Sequence, residues 1–374
     1  MKKVLVFGMT ENPGGVESVI MNYYRNIDRN KIQFDFLCNT EIVAYSDEIE
    51  KLGGKIYKVT ARSKNRKKFY HELDSFFKNH SKEYEAIWVN VCSLANIDYL
   101  KCAKKYNIKT RIIHAHNSQN MDSFIRGLLH RFNRLIISKY ATDYWTCSDE
   151  ASKWFYNKKI INSNKYKIVY NAIDTKKYQF DDNKRKKIRK KLDLEDKLVI
   201  TNIGRLHFQK NQEFVIKIFN EILKENKESI LLLVGDGPDR KKLTDLVKIF
   251  KIEKKVKFLG IRKDVNDVMQ AADVLLFPSL FEGLPLVMIE AQAADLLIYA
   301  SKNKIDEKVI INKDRVNLIS LEESDKYWAS QIINKSKERY KRKSNNKLLA
   351  NSNFDIKTEA RKIQTFFEKK LINK

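Results

Sequence analysis

Glycine is the first shortage in this sequence. The chain holds 11 glycines in 374 residues, roughly 3% where about 7% is usual. Proline and cysteine number four each. A chain this sparing of glycine and proline keeps them where the backbone demands them. The cysteines, Cys38, Cys92, Cys102 and Cys147, include no C-x-x-C pair. Three of them sit in or beside apolar runs, which reads as reduced core thiols in a cytoplasmic protein. Long apolar runs are also missing. The richest stretch, 274–300, is broken by Pro278, Glu282, Gly283 and Pro285, so no membrane-spanning helix is expected. The first apolar run, Val4–Met9, ends in a turn and is too short for a signal peptide. No Asp-x-Asp pair stands in a strand context suited to a metal, and neither a metal nor another cofactor is expected.

Positive charge, by contrast, is abundant. There are 73 Lys and Arg against 47 Asp and Glu, a formal net charge of +26. The first fifty residues are mildly acidic, and the stretch 51–167 is strongly basic. Such a field attracts phosphates, nucleic acids and anionic membranes, and says nothing about fold; a lysine-rich solvated surface would produce it as well. The apolar share, 43%, is that of a globular protein, and the length allows two core-bearing domains.

Short β-rich runs alternate with helical patterns, beginning with VLVFG, FDFLC, GKIYKV, AIWVNV, TRIIHAH, DYWTCS and KIVYNA. The alternation restarts at KLVITNIG and continues through SILLLVGDG, KVKFLG, DVLLFPS and DLLIYAS. Apolar strands separated by helices indicate parallel sheets covered on both faces. The fold class is therefore α/β with two sheets. The expected organisation is a domain over 1–175, a Lys-rich connection over 176–197, a second domain over 198–350 and an amphipathic helix over 351–374. That helix places Ile356, Ala360, Ile363, Phe367 and Leu371 on one face.

The glycines and prolines cluster at the expected strand ends, the edge where parallel sheets bind ligands. In NPGGVE (12–17), Gly14 and Gly15 let backbone N–H groups approach an anion at a helix start, or make a plain turn. In NIGRLHFQKN (202–211), Arg205 and Lys210 flank a turn after a buried strand and suit a diphosphate. In VGDGPDRKKL (234–243), Pro238 is expected near the first helical position with Asp236 as the cap. In PSLFEGLPLVMIEAQAA (278–294), Pro285 is expected to open a helix, with Glu282 in the loop before it and Glu290 in its second turn. Each carboxylate can accept two hydrogen bonds, as vicinal sugar hydroxyls require. Cations for phosphates and carboxylates for hydroxyls together describe a nucleotide-sugar.

The residues GGVE (14–17), HAHN (114–117), GRLHFQKN (204–211), LLLVGDGP (231–238) and the paired glutamates of FEGLPLVMIEA (281–291) resemble the retaining glycosyltransferases of family 4. Within that family the likeness is to bacterial capsule and exopolysaccharide enzymes. The resemblance implies the GT-B architecture: two Rossmann-like domains facing across a cleft, with the last helix returning to the first, acceptor-side domain. It implies that Gly14 and Gly15 approach the donor diphosphate, that His116 contacts the donor sugar, and that Arg205 and Lys210 bind the diphosphate. Glu282 would hold sugar hydroxyls and Glu290 the ribose. Gly283, Leu284, Pro285 and Leu286 would supply backbone contacts, and the base would stack near Arg262. One stretch departs from the family pattern. In AQAADLLI (291–298), Asp295 and Leu297 stand where glycine and proline are expected.

By the same resemblance, the reaction is a metal-independent transfer with retention. A hexose or N-acetylhexosamine moves from a nucleotide-sugar, with a lean toward UDP, to an oligosaccharide or lipid-linked acceptor. The stretches SFIRGLLHRFNRLIISKY (123–140) and RSKNRKKFY (62–70) mix apolar and basic residues. They fit a face turned to an anionic membrane, giving peripheral association with its cytoplasmic side, or else an ordinary helix with a solvated flank. A nucleic-acid-binding protein is the competing class, but the basic residues are dispersed and no stacking signature accompanies them, so no nucleic acid partner is expected. A GT-B epimerase and an inactive copy are the remaining alternatives.

Overall fold

A computed structural model describes residues 1–117, 123–282, 284–336, 341–343, 348–349 and 352–372, with residues 371 and 372 described by backbone alone. The chain divides into two compact units, Met1–Ala172 with Ile356–Lys374, and Ile173–Asp355. The 176–197 stretch, expected as a connection, lies inside the second unit. Its helix Asp182–Leu192 turns Arg185 and Arg189 inward onto Asp273 and the carbonyls that end the Val265–Ala271 helix.

The first unit carries seven strands: β1 (Lys2–Phe7), β2 (Ile32–Cys38), β3 (Ile56–Lys58), β4 (Ala86–Val91), β5 (Thr110–Ala115), β6 (Asp143–Thr146) and β7 (Tyr166–Ile168). They pair in the order β3-β2-β1-β4-β5-β6-β7, every neighbour parallel. The second unit carries β8 (Leu198–Ile203), β9 (Ser229–Val234), β10 (Val256–Gly260), β11 (Val274–Phe277), β12 (Leu297–Ser301) and β13 (Val316–Ile319). Their order is β10-β9-β8-β11-β12-β13, again parallel throughout. β9 and β11 are buried along their whole length, which is why they read as apolar runs: helices cover both faces. β2 is buried throughout as well, although it carries Gln33 and Asp35. In each sheet the strand order reverses once, between β1 and β4 and between β8 and β11. These reversals open a crevice at the carboxyl ends of the strands.

The terminal helix, Ile356–Ile372, packs on the first unit. Phe367 sits edge-on to Phe34, and Phe366 meets Trp145 at 5.0 Å. Gln364 accepts the Asp28 N–H at 2.9 Å, and Lys370 pairs with Asp143 at 3.1 Å. The apolar stripe expected from sequence is buried at Ile356, Ala360, Ile363 and Phe367; the Leu371 side chain lies outside the described residues.

The helix Phe124–Ile136 is not an ordinary buried helix. Its fully buried residues are polar, His130 and Asn133, with Ile136 half-buried against the core at its end, while Phe124, Ile125, Leu128, Leu129, Phe132 and Leu135 are between 40% and 79% exposed.

Candidate functional site

The second unit builds its site at the β8/β11 reversal. Gly204 follows β8 and its N–H donates to Val234 O at 2.9 Å. Leu206 is buried two residues on, with its N–H on Asp236 O. Arg205, held between these anchors, is exposed. The second glycine turn backs this one. A Cβ on Gly235 would stand 2.1 Å from Gly204 O, and one on Gly237 would stand 2.3 Å from Leu206 O. The glycines of VGDGP are thus there to let two strand-end loops lie backbone to backbone. Asp236 does not cap the next helix, contrary to expectation. Its carboxylate accepts the Gly237 N–H, and the helix starts at Arg240 with Asp239 at its cap position.

The turn after Arg205 is stitched to the loop after β11. Gln209 O accepts the Leu280 N–H, the Gln209 side chain donates to Phe281 O, and the Asn211 side chain donates to Pro278 O. The stem of Lys210 crosses the bare face of Gly204, and its Nζ lies 2.7 Å from Glu282 Oε1. Both side chains are largely buried, and the ammonium also lies over the Phe277 ring at 5.1 Å. A cation and a carboxylate 72 residues apart in sequence thus meet at one point.

Helix Leu286–Ala293 follows. Pro285 is its cap residue rather than its first helical residue. Glu290 accepts a hydrogen bond from the Tyr178 hydroxyl at 2.8 Å. Burial pushes its carboxyl up, and the tyrosine hydrogen bond opposes this. Tyr178 was not legible as a site residue: it lies 112 residues away in the Lys-rich stretch, within no motif. Leu284, Pro285 and Leu286 form the entry to this helix, with Pro285 buried. Gly283 lies outside the described residues. Arg262, expected near the base, grips Asp264 with both ends of its fork, at 2.8 and 2.5 Å.

The departure at AQAADLLI has a physical account. Asp295 takes the left-handed backbone that a glycine would take, with φ of 53°, a conformation aspartate tolerates better than most residues. Its fully buried carboxylate pairs with Arg315 at 2.8 Å and accepts the Lys343 N–H at 2.6 Å. The turn is retained and its special residue is tied down by charge.

Residues 184–353 match the family profile described as glycosyl transferases group 1. The matched stretch lies in the second unit, which resembles the glycosyltransferases of this group. Over 337 residues it is 28% identical to the putative glycosyltransferase EpsF of Bacillus subtilis, covering 88% of this chain and 87% of that one. It is 26% identical over 208 residues to a UDP-Gal:alpha-D-GlcNAc-diphosphoundecaprenol alpha-1,3-galactosyltransferase of Escherichia coli, about half of either protein. Its fold matches the crystal structure of Anabaena HepE in complex with UDP, with a TM-score of 0.79, 17% identity, and coverage of 99% of this chain and all of that one. The two Rossmann-like sheets are those of a GT-B glycosyltransferase.

The first unit sets a second group of residues at the β1/β4 reversal. His116 follows β5, and its Nε2 lies 2.9 Å from Asn90 Oδ1. Asn90 donates its amide to Phe7 O, which leaves its oxygen facing the ring. The imidazole therefore carries its proton on Nε2. Burial holds it down to about 3, so it is neutral. Asn90 also lies against Gly8, where a Cβ would come within 2.7 Å of the asparagine Cβ. Gly14 caps the Gly15–Asn26 helix, and its N–H donates to the Glu17 carboxylate at 3.1 Å. Glu17 accepts from Thr10 as well, at 2.5 Å. This buried carboxylate already complements the positive helix end, a competitor that the GGVE motif did not reveal as a negative charge turned inward. Around Gly15 the space is open.

Proposed function

We propose that this protein moves a hexose or N-acetylhexosamine, with retention, from a UDP-sugar to a lipid-linked oligosaccharide in capsule or exopolysaccharide assembly. The observation that carries the reading is the Lys210–Glu282 pair at the strand reversal, with Arg205 exposed beside it. Lys210 and Arg205 suit a diphosphate, and Glu282 suits the hydroxyls of the sugar attached to it. Glu290, oriented by Tyr178, suits the ribose. The names of the relatives support the donor and acceptor classes: one acts from UDP-galactose on a diphosphoundecaprenol-linked sugar.

The chemistry follows from these assignments. The bond from the anomeric carbon to the leaving phosphate oxygen breaks while the acceptor oxygen bonds on the same face. The acceptor's proton passes to that phosphate oxygen. Arg205, Lys210 and nearby backbone N–H groups stabilise the charge that collects on the diphosphate, each by about 2–4 kcal/mol. His116 in the first unit, neutral and with Nδ1 as an acceptor, suits accepting a hydrogen bond from a hydroxyl rather than donating a proton.

The test is kinetic. Arg205→Ala and Glu282→Ala should each lower turnover of a UDP-sugar on the order of 10²-fold or more, with the anomeric configuration of the product read by NMR. Near-normal rates in either purified variant reject this site, and an inverted product rejects the mechanism.

A further inference from the structure

The second unit has a cavity at the edge of its sheet opposite the strand reversal. Leu198, Val274 and Leu297 begin β8, β11 and β12, and with Phe180 they give the cavity an apolar floor. Its volume is about 520 Å³, within the range of small-molecule sites. Parallel sheets bind ligands at the other edge, so this space is separate from the site of Lys210 and Glu282.

Cations gather around it in excess. The helices Val265–Ala271 and Leu286–Ala293 both end here, and arginines meet their last carbonyls. Arg342 donates to the carbonyls of Met269, Gln270, Ala272 and Ala294, and Arg185 donates to those of Gln270, Ala271 and Ala272. Helix ends favour cations, but three guanidiniums share one carboxylate. Asp273 pairs with Arg185 and Arg189, and Arg342 has no carboxylate partner among the described residues. The Arg342 guanidinium lies over the Phe180 ring at 4.3 Å. Burial pushes Arg342 down to about 9, and the charge of Arg185 pushes the same way. Asp182, the other carboxylate in the lining, is taken by Lys186 at 2.8 Å. Lys335 and the exposed Lys341 add ammonium groups to the wall.

A buried charge without a counter-charge is costly, and an anion seated beside Arg342 offsets it. The N–H groups of Arg342 are committed to carbonyls, so this residue supplies field, and the lysines supply hydrogen bonds. Arg342 and Lys341 carry two charges that no carboxylate among the described residues meets, which is the charge of a phosphate monoester. A bare inorganic anion would leave the apolar floor unused, and a neutral ligand would leave the charge uncompensated.

We propose that this cavity binds a small organic phosphate, with the phosphate toward Lys335 and Lys341 and an apolar body on Phe180, Leu198, Val274 and Leu297. The site stands apart from the proposed transfer reaction and does not rest on it.

Phenyl phosphate is the probe, added to the full chain with and without excess UDP. Saturation-transfer NMR should show transfer to the phenyl protons, and the melting temperature should rise by at least about 2 °C at saturating probe. Inorganic phosphate and phenol should each bind at least about tenfold more weakly, for want of the ring or of the charge. Excess UDP should leave the phenyl phosphate signal in place. Lys341→Glu, at an exposed position, should keep the melting temperature of the free chain and lose at least about threefold in affinity. Lys335→Glu combined with Lys341→Glu should lose at least about tenfold. Absence of transfer to phenyl phosphate at millimolar concentration overturns the proposal. So does binding that excess UDP abolishes, that the double variant retains, or that phenol or inorganic phosphate matches. A chain that binds phenyl phosphate in this way but shows no shift with UDP would lose the donor reading and keep this site.

Discussion

At the scale of single residues, the site is held by partners the motifs do not name. Tyr178 fixes one carboxylate oxygen of Glu290. On the proposal that Glu290 binds the ribose, Tyr178→Phe should raise KM for the nucleotide-sugar by roughly 3- to 10-fold, the worth of one hydrogen bond. It should leave kcat nearly unchanged, and steady-state kinetics at varied donor would show the split. His116 makes a pH prediction. Its ordinary value is 6.5, and the folded chain holds it at about 3. As pH falls through that window, the unfolded chain takes up a proton that the folded chain refuses. The stability is therefore complete above about 6.5 and is lost progressively with acid. His116→Asn should make the fall in melting temperature across this range shallower. An unaltered slope would mean that His116 titrates as it does in water.

At the scale of elements, the turn after Leu286–Ala293 shows how a fold keeps a shape after losing its usual residue. Asp295 stands in left-handed backbone and is buried against Arg315. Asp295→Ala would keep the unfavourable backbone and leave a guanidinium without its carboxylate. It should destabilise the chain on the order of 3 kcal/mol, seen as a lower denaturant midpoint. Asp295→Gly combined with Arg315→Met should recover most of that, because the backbone relaxes and no charge is stranded. The Phe124–Ile136 helix carries a different lesson. Its apolar spacing suggests burial, yet His130 and Asn133 are the fully buried residues. Periodicity reports that a helix has two faces; the hydrogen bonds that His130 and Asn133 make to Leu94 and Trp154 decided which one docks.

At the scale of the whole molecule, the terminal helix belongs to the unit that begins the chain. Phe366 and Phe367 cover Trp145 and Phe34. Truncation after residue 355 would uncover this aromatic face in the first unit and leave the core of the second intact. The expected outcome is a chain in which the first unit melts early and the second keeps its transition, separable by differential scanning calorimetry. One unshifted transition would show that the helix adds little.

Much of this was legible in sequence because it follows from short-range patterns. Unbroken apolar strands between helices imply parallel sheets covered on both faces, and glycines at strand ends mark where loops must approach closely. Spacing alone brought Arg205, Lys210, Glu282 and Glu290 under suspicion. Which of them touch was decided by the fold: the Lys210–Glu282 pair and the Tyr178–Glu290 bond each join residues far apart in the chain. So was the inward turn of Glu17 onto Gly14 and Thr10. A side chain's partner depends on which strands become neighbours, and strand neighbours are chosen by long-range packing that no local spacing records.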